Sequence, residues 1–294
     1  MDAVETLRAA KHKLWLASKR LRGRKVAVID RAYRHYDRLV PYTFSIESHR
    51  DRYGALPRLY FLHRDPPNEL AGVLEPAPRR IFCFWTGSNP LSEARRQALK
   101  DLSETGAIVE LITPANLPAW ILSDHPLHPR YEQLSLNHRS DYLRAYFMLH
   151  HGGGYSDIKS PLGNWMEAFD LLDESDESWL VGYPELSSRS CGGDDHTALG
   201  RDIHRRFARL AGIACIIMKP RTPFAAEWVR EIERRLDYYD EELAHHPGGM
   251  WGEGPGYPLR WIELGSDIYH PLQLKYHQHV LQSRALLPAF GGQR

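Results

Sequence analysis

The sequence predicts an α/β fold, in which largely buried strands alternate with helices, and three stretches predict it. Ile81 to Trp85 (I-F-C-F-W) is a short continuous apolar run, the form of a strand buried on both faces. A helix from about Leu91 to Leu102 and a strand from Ala107 to Ile112 follow, giving the strand–helix–strand order of a parallel crossover unit. Gly212 to Pro220 (G-I-A-C-I-I-M-K-P) reads as another buried strand, leading into a helix over Pro223 to Tyr238.

The elements around these follow from local chemistry. Met1 to about Pro41 is basic, with Arg8, Lys11, Lys13, Lys19, Arg20, Arg22, Arg24 and Lys25 against few acids. Leu7, Leu14, Trp15, Leu16 and Leu21 interleave with those charges, which predicts one or two amphipathic helices broken near Gly23. Such a segment suits an anionic membrane surface, and equally a helical extension packed on the main body with its basic face solvated. Tyr42 to Arg80 is irregular, and Pro76 and Pro78 resist helix and central strand alike. Residues 1–78 are therefore taken as an N-terminal extension and 79–294 as the main domain. Thr86 to Pro90 is turn chemistry at the carboxyl end of the first strand, where open α/β sheets bind ligands. Pro114 to Arg130 is loop-like, Asn164 to Leu172 helical, and Trp179 to Tyr183 a strand. Ser187 to Arg201 reads as a long polar loop, in which Asp194, Asp195 and His196 are candidates to present a base or bind an acceptor.

The totals bound the function. The chain has 294 residues, 43% of them hydrophobic, and a formal net charge of +1. That is enough apolar material for a large core, and no overall field favours nucleic acid. Cys83, Cys191 and Cys215 are isolated, giving neither a zinc framework nor a disulfide scaffold and suiting a reducing compartment. With no apolar run of membrane-spanning length and no apolar leader, a cytoplasmic enzyme is the simplest expectation.

The densest chemistry lies between Asn137 and Lys159, N-H-R-S-D-Y-L-R-A-Y-F-M-L-H-H-G-G-G-Y-S-D-I-K. Tyr142, Leu143, Tyr146, Phe147 and Leu149 recur at helical steps, and Asp141 and Arg144, three apart, emerge on one face. Gly152 suits a left-handed helix end, and Gly153 and Gly154 a tight turn into an extended run from Tyr155 to Ile158. Strand alternation then projects Asp157 and Lys159 to the same side. Taken singly, each of these residues also fits an ordinary helix face or turn.

Taken in order, S-D-Y-L-R-A-Y-F-M-L-H-H-G-G-G-Y-S-D-I-K resembles the S-D-x-x-R-x-x-x-L-x-x-x-G-G-x-Y-x-D-x-D block of sugar-nucleotide glycosyltransferases. The nearest groups are glycosyltransferase family 32 and the capsular polysaccharide synthesis proteins. The resemblance implies a GT-A-like, Rossmann-type fold with a mixed, mostly parallel sheet flanked by helices. It also implies sugar transfer from a UDP- or GDP-linked donor to a glycan or lipid-linked glycan acceptor, with retention of configuration, in capsule, O-antigen or related synthesis.

Carried over residue by residue, Asp141 and Arg144 would contact donor-sugar hydroxyls, and Asp157 would be the first acid of the D-x-D motif. Donor binding would fall to Phe84, Trp85 and Thr86, with Trp85 favoured for stacking on the base, to Gly153, Gly154 and Tyr155, and to Gly254, Pro255 and Gly256. Lys159 stands where the family has its second acid. Either its ammonium takes over the metal's charge at the diphosphate, or a Mg²⁺ or Mn²⁺ is held by Asp157 and His279, the latter in a segment resembling the family's terminal H-x-x-x-S. Two other functions remain open. One is a non-catalytic sugar-nucleotide or glycan binder with a degenerate D-x-D; the other is a metal-dependent hydrolase using His125, His128, His196 and His204 with Asp194 and Asp195.

Overall fold

The computed structural model describes residues 3–51, 53–55, 61–67, 74–252 and 254–290. Among them six strands form one mixed sheet in the order β2-β1-β3-β5-β4-β6. β1 (Arg80–Phe84), β2 (Ile108–Ile112), β3 (Gly153–Ser156), β4 (Leu180–Pro184) and β6 (Val280–Gln282) share one direction, and β5 (Ala211–Met218) runs against them. The expected Rossmann-like arrangement, mostly parallel and flanked by helices, is therefore present.

Strand alternation explains why I-F-C-F has no polar position. Ile81 and Cys83 face a core with Ala98, Leu102, Trp165 and Phe169 of α2 (Glu93–Ser103) and α4 (Trp165–Asp173). Phe82 and Phe84 face the opposite core, built with α3 (Leu136–His150), α6 (Pro223–Tyr238) and α8 (Ser266–Lys275). Both faces are covered, so both sets are apolar. The caps set the helix starts. Ser92 accepts from the Arg95 N–H and Ser135 from the His138 N–H, which starts α2 two residues late and α3 before Asn137.

Several expectations need correction. The N-terminal segment is one helix, α1 (Ala3–Leu39), continuous through Gly23. A helical glycine costs about 1 kcal/mol relative to alanine, too little to break so long a helix. Between residues 3 and 22, side chains are described only at Lys11, His12, Trp15 and Leu21. The last turns of α1 dock on the main body: Asp30 accepts from the Ser188 N–H and hydroxyl, and Asp37 pairs with Arg206 at 3.1 Å. In the lead-in, residues 52, 56–60 and 68–73 lie outside the described residues, but Phe61 and Leu62 join the larger core. The stretch 187–201 is no long loop. It holds a 3-10 turn (Ser188–Ser190) and the start of α5 (Ala198–Arg205), capped by Thr197. Two further helices, α7 (Asp240–His245) and α8, were not legible in the sequence, and α8 carries Pro271 inside it.

The glycines between α3 and β3 position everything that follows. Gly152 and Gly153 both have positive φ, +63° and +88°, reversing the chain within two residues. A Cβ on Gly153 would stand 2.8 Å from the Arg80 carbonyl oxygen of β1, so that position is closed by backbone as well as by φ. Gly54 shares the conformation (φ +79°) with open space around it. Gly153→Ala is expected to lower unfolding free energy by more than about 2 kcal/mol, and Gly54→Ala by only about 1. Urea unfolding of the two variants checks this; equal losses would remove the packing argument.

Candidate functional site

β1 and β3 end side by side, and the chemistry gathers beyond their carboxyl ends. A cavity of about 280 Å³ there is lined by Trp85, Thr86, Arg95, Asn137, Ser140, Tyr155, Asp157, Lys159 and Trp251. A larger, more apolar cavity of about 480 Å³ lies beyond β1 and β2, lined by Ile112, Leu117, Leu127 and Tyr131 among others. Trp85 and Thr86 line both, so the two cavities adjoin at the β1 end.

β3 ends at Ser156, so the extended run stops short of Ile158 and Asp157 and Lys159 lie just beyond the strand, where Lys159 Nζ is nevertheless 2.6 Å from Asp157 Oδ2. The Tyr155 hydroxyl donates to Asp157 Oδ1 at 2.7 Å, and Arg144 in turn donates to the Tyr155 hydroxyl at 2.8 Å. Arg144 also lies 3.2 Å from Asp141 and 3.5 Å from Asp157. Asp141, Arg144 and Asp157 thus converge, as the shared helix face and the glycine reversal require. Their access differs. Asp141 and Arg144 are buried (7% and 6% exposed) and line neither cavity, whereas Tyr155, Asp157 and Lys159 reach the cleft.

Electrostatics separates the two acids. Burial pushes the Asp157 carboxyl up, but the Lys159 ammonium, the Arg144 guanidinium and hydrogen bonds from Lys159 and Tyr155 outweigh it, holding it below the usual carboxylate value. Burial dominates at Asp141 and holds its carboxyl above the usual value despite Arg144. Arg144 loses hydration to burial, which its contacts with Tyr155, Asp141 and Asp157 more than offset.

The remaining predicted residues divide. Phe84 belongs to the core and is stacked on Tyr155 at 5.2 Å, and its edge also lines the smaller cavity. Trp85 faces the cleft with its Nε1–H on the Asn89 carbonyl and Arg95 over its ring at 5.5 Å. Thr86 donates to the Leu136 carbonyl. Gly153 and Gly154 are buried in β3, Gly154 under Trp165, and line neither cavity. Gly254, Pro255 and Gly256 form an exposed turn outside both, while Met250 and Trp251 of the same segment line the smaller one.

His279 is not brought to Asp157. It precedes β6, at the far edge of the sheet and the opposite strand end, three strand spacings or roughly 14 Å across. There it stacks on Trp179 at 3.8 Å. Asp195 pairs with Arg189 and His204, and Asp194 closes the turn into α5. Neither Asp195 nor His196 lines the cleft, and Asp194 borders a different cavity. The hydrolase histidines are dispersed: His125 stacks on His150, His128 pairs with Asp237, and His204 with Asp195.

Both oxygens of Asp157 are engaged by Lys159 and Tyr155, and Asp157 belongs to no group of three metal-capable side chains among the described residues. The group that exists there is Glu185, Cys191 and His270, all buried. The Gly192 N–H donates to His270 Nδ1, which places the ring proton on Nε2, facing Glu185 at 3.5 Å. Neither that proton nor a thiol, whose ionisation burial suppresses, suits Mg²⁺ or Mn²⁺.

Arg95, Asn137 and Trp251 were missed in the sequence. Arg95 is held into the cleft by donating to the Ile158 carbonyl at 3.2 Å, a contact between residues 63 apart that no local pattern carries. No protein-family model, curated protein or solved structure matches the chain.

Asp157 is stabilised by Lys159 only while ionised. Removing the ammonium in Lys159→Met is expected to destabilise the protein most above about pH 5. The difference should shrink as pH falls below the ordinary aspartate value of 3.8 toward the lower value at which the parent's paired carboxyl takes up its proton. Urea unfolding at pH 7, 5 and 3.5 reads this; a pH-independent difference contradicts the pairing.

Proposed function

We propose that this chain is a glycosyltransferase that moves a sugar from a UDP- or GDP-linked donor to a glycan acceptor. The carrying observation is the Tyr155–Asp157–Lys159 array at the end of β3, open to a cleft at the strand ends and backed by Arg144. Its order in sequence resembles that of family 32 and capsular polysaccharide enzymes, so a GT-A-like identity for the fold and a role in capsule, O-antigen or other surface polysaccharide synthesis belong to the same proposal.

The roles follow from position. The nucleoside occupies the larger cavity with Trp85 at its edge, and the diphosphate passes Trp85 and Thr86 toward Lys159 and Arg95. Their positive charges stabilise the departing diphosphate, lysine as a point charge and arginine as a planar fork. The bond from the anomeric carbon to the phosphate oxygen breaks, a bond to the acceptor oxygen forms, and the acceptor proton passes to the leaving diphosphate. Asp157 aims Lys159 and receives a donor hydroxyl. Asp141 and Arg144 act through Tyr155 and Asp157 as positioning residues, a revision of the direct sugar contacts expected from the resemblance. No step here is assigned to a metal ion.

Donor hydrolysis and transfer across UDP- and GDP-sugars test the reading. Asp157→Asn is expected to lose at least a hundredfold in kcat/KM, about 2.7 kcal/mol of transition-state stabilisation. Parent activity should persist in EDTA, and Lys159→Asp should become dependent on added Mn²⁺. If Asp157→Asn and Asp141→Asn both turn over the preferred donor like the parent, the site is misassigned. A second reading, a non-catalytic sugar-nucleotide binder, is favoured by the closed Lys159–Asp157 pair. It predicts nucleotide binding with neither hydrolysis nor transfer.

The place of action is also proposed. Three free buried cysteines fit a reducing compartment such as the cytoplasm, where nucleotide sugars would be met. No helix among the described residues is long and apolar enough to cross a membrane. The basic first half of α1 offers peripheral contact with an anionic inner-membrane surface carrying a lipid-linked acceptor. Sedimentation with phosphatidylglycerol vesicles at low salt is expected to pull down the full chain and leave in solution a 26–294 variant, which keeps the docked turns of α1 that carry Asp30 and Asp37; equal partition rejects the membrane role.

A further inference from the structure

Residues 247–252 and 254–258 flank the smaller cavity, which Met250 and Trp251 line, and are pinned at both ends. The Gly248 N–H donates to the Gln133 carbonyl and the Leu136 N–H to the Gly249 carbonyl. At the other end the Tyr257 hydroxyl receives the Ser135 N–H and lies 2.7 Å from His138 Nδ1. Between these anchors Met250 and Trp251 stand out, 52% and 61% exposed, while still lining the cavity that holds Asp157 and Lys159. Trp261 is 53% exposed, and its carbonyl faces the Asn137 amide at 3.4 Å; Asn137 lines the same cavity. Met250 and Trp251 together leave an apolar patch in water that is bordered by polar residues of the cavity wall, the character of a ligand-binding rim.

Resting on the transferase reading, we propose that Trp251 and Trp261 form the acceptor shelf and that its occupant is a saccharide of at least two pyranose units. A pyranose ring offers an axial C–H face and a rim of hydroxyls. The electron-rich faces of the two indoles match the first, and the Asn137 amide and Ser140 hydroxyl, both in the cavity wall, match the second. A sugar lying across Trp251 presents a hydroxyl to the cavity from the mouth, opposite the nucleotide's approach from the larger cavity.

The test is direct binding. The parent, Trp251→Ala, Trp261→Ala and Trp251→Phe are titrated with gluco-, galacto- and manno-configured tetrasaccharides, reading saturation-transfer NMR and tryptophan fluorescence, with thermal melting as the control for folding. At least one tetrasaccharide is expected to bind the parent, at least tenfold more weakly to each alanine variant, and within threefold of parent to Trp251→Phe. Unchanged binding in the alanine variants, or no binding of any tetrasaccharide to the parent, overturns the shelf. A Trp251→Ala defect confined to the KM for UDP- or GDP-sugar hydrolysis overturns it in favour of base stacking, and vesicle-induced fluorescence shifts without saccharide binding overturn it in favour of a lipid surface. Failure of the parent to hydrolyse any donor sinks the transferase reading alone, since saccharide binding is measured without donor.

Discussion

A single guanidinium, that of Arg144, holds the interior of the proposed site together. It is 6% exposed and lies among two carboxylates and a phenol, contributed by α3, β3 and the residue just beyond β3. Such a charge is tolerable in the interior only because each partner compensates it, and removing one partner of a buried pair costs about 3–5 kcal/mol. Its ring contact with Tyr155, 4.2 Å from guanidinium carbon to centroid, restricts the phenol to one pose. That pose leaves the hydroxyl on Asp157, and Asp157 on Lys159. The order runs from a buried scaffold outward to a half-buried ammonium in the cavity wall.

The pieces converge because of the sheet. β3 sits between β1 and the reversed strand β5, so its carboxyl end opens where the β1 turn and the start of α3 also arrive. The α3 start comes back to the same place through the Thr86 hydroxyl on the Leu136 carbonyl. Covered faces make the strands apolar throughout, and polar function is displaced to their ends. Exposed Met250 and Trp251 then line the solvent side of a cavity whose floor is fixed.

Much of this was legible from local pattern. The β1 run, the pairing of Asp141 with Arg144 and the reversal at Gly152 and Gly153 depend on residues within a few positions, and the structure places them as expected. Arg95, Asn137 and Trp251 were illegible because contacts across 63 or more residues, or a loop's projection, bring them in. His279 misled for the opposite reason: its spacing matched a motif, but strand order puts β6 at the far edge. The stretch 187–201 misled by composition, since glycine and aspartate there close a turn capped by Thr197 rather than forming a long loop.

The pair of left-handed glycines between His151 and Gly154 has an evolutionary corollary. Strand side chains alternate with a period of two, so one residue gained or lost there would carry Tyr155 and Asp157 to opposite walls from those they now occupy. Length drift, harmless in most surface connections, is closed to this one. Any lineage that keeps the chemistry must keep the count, whereas the neighbouring segments are at liberty to lengthen.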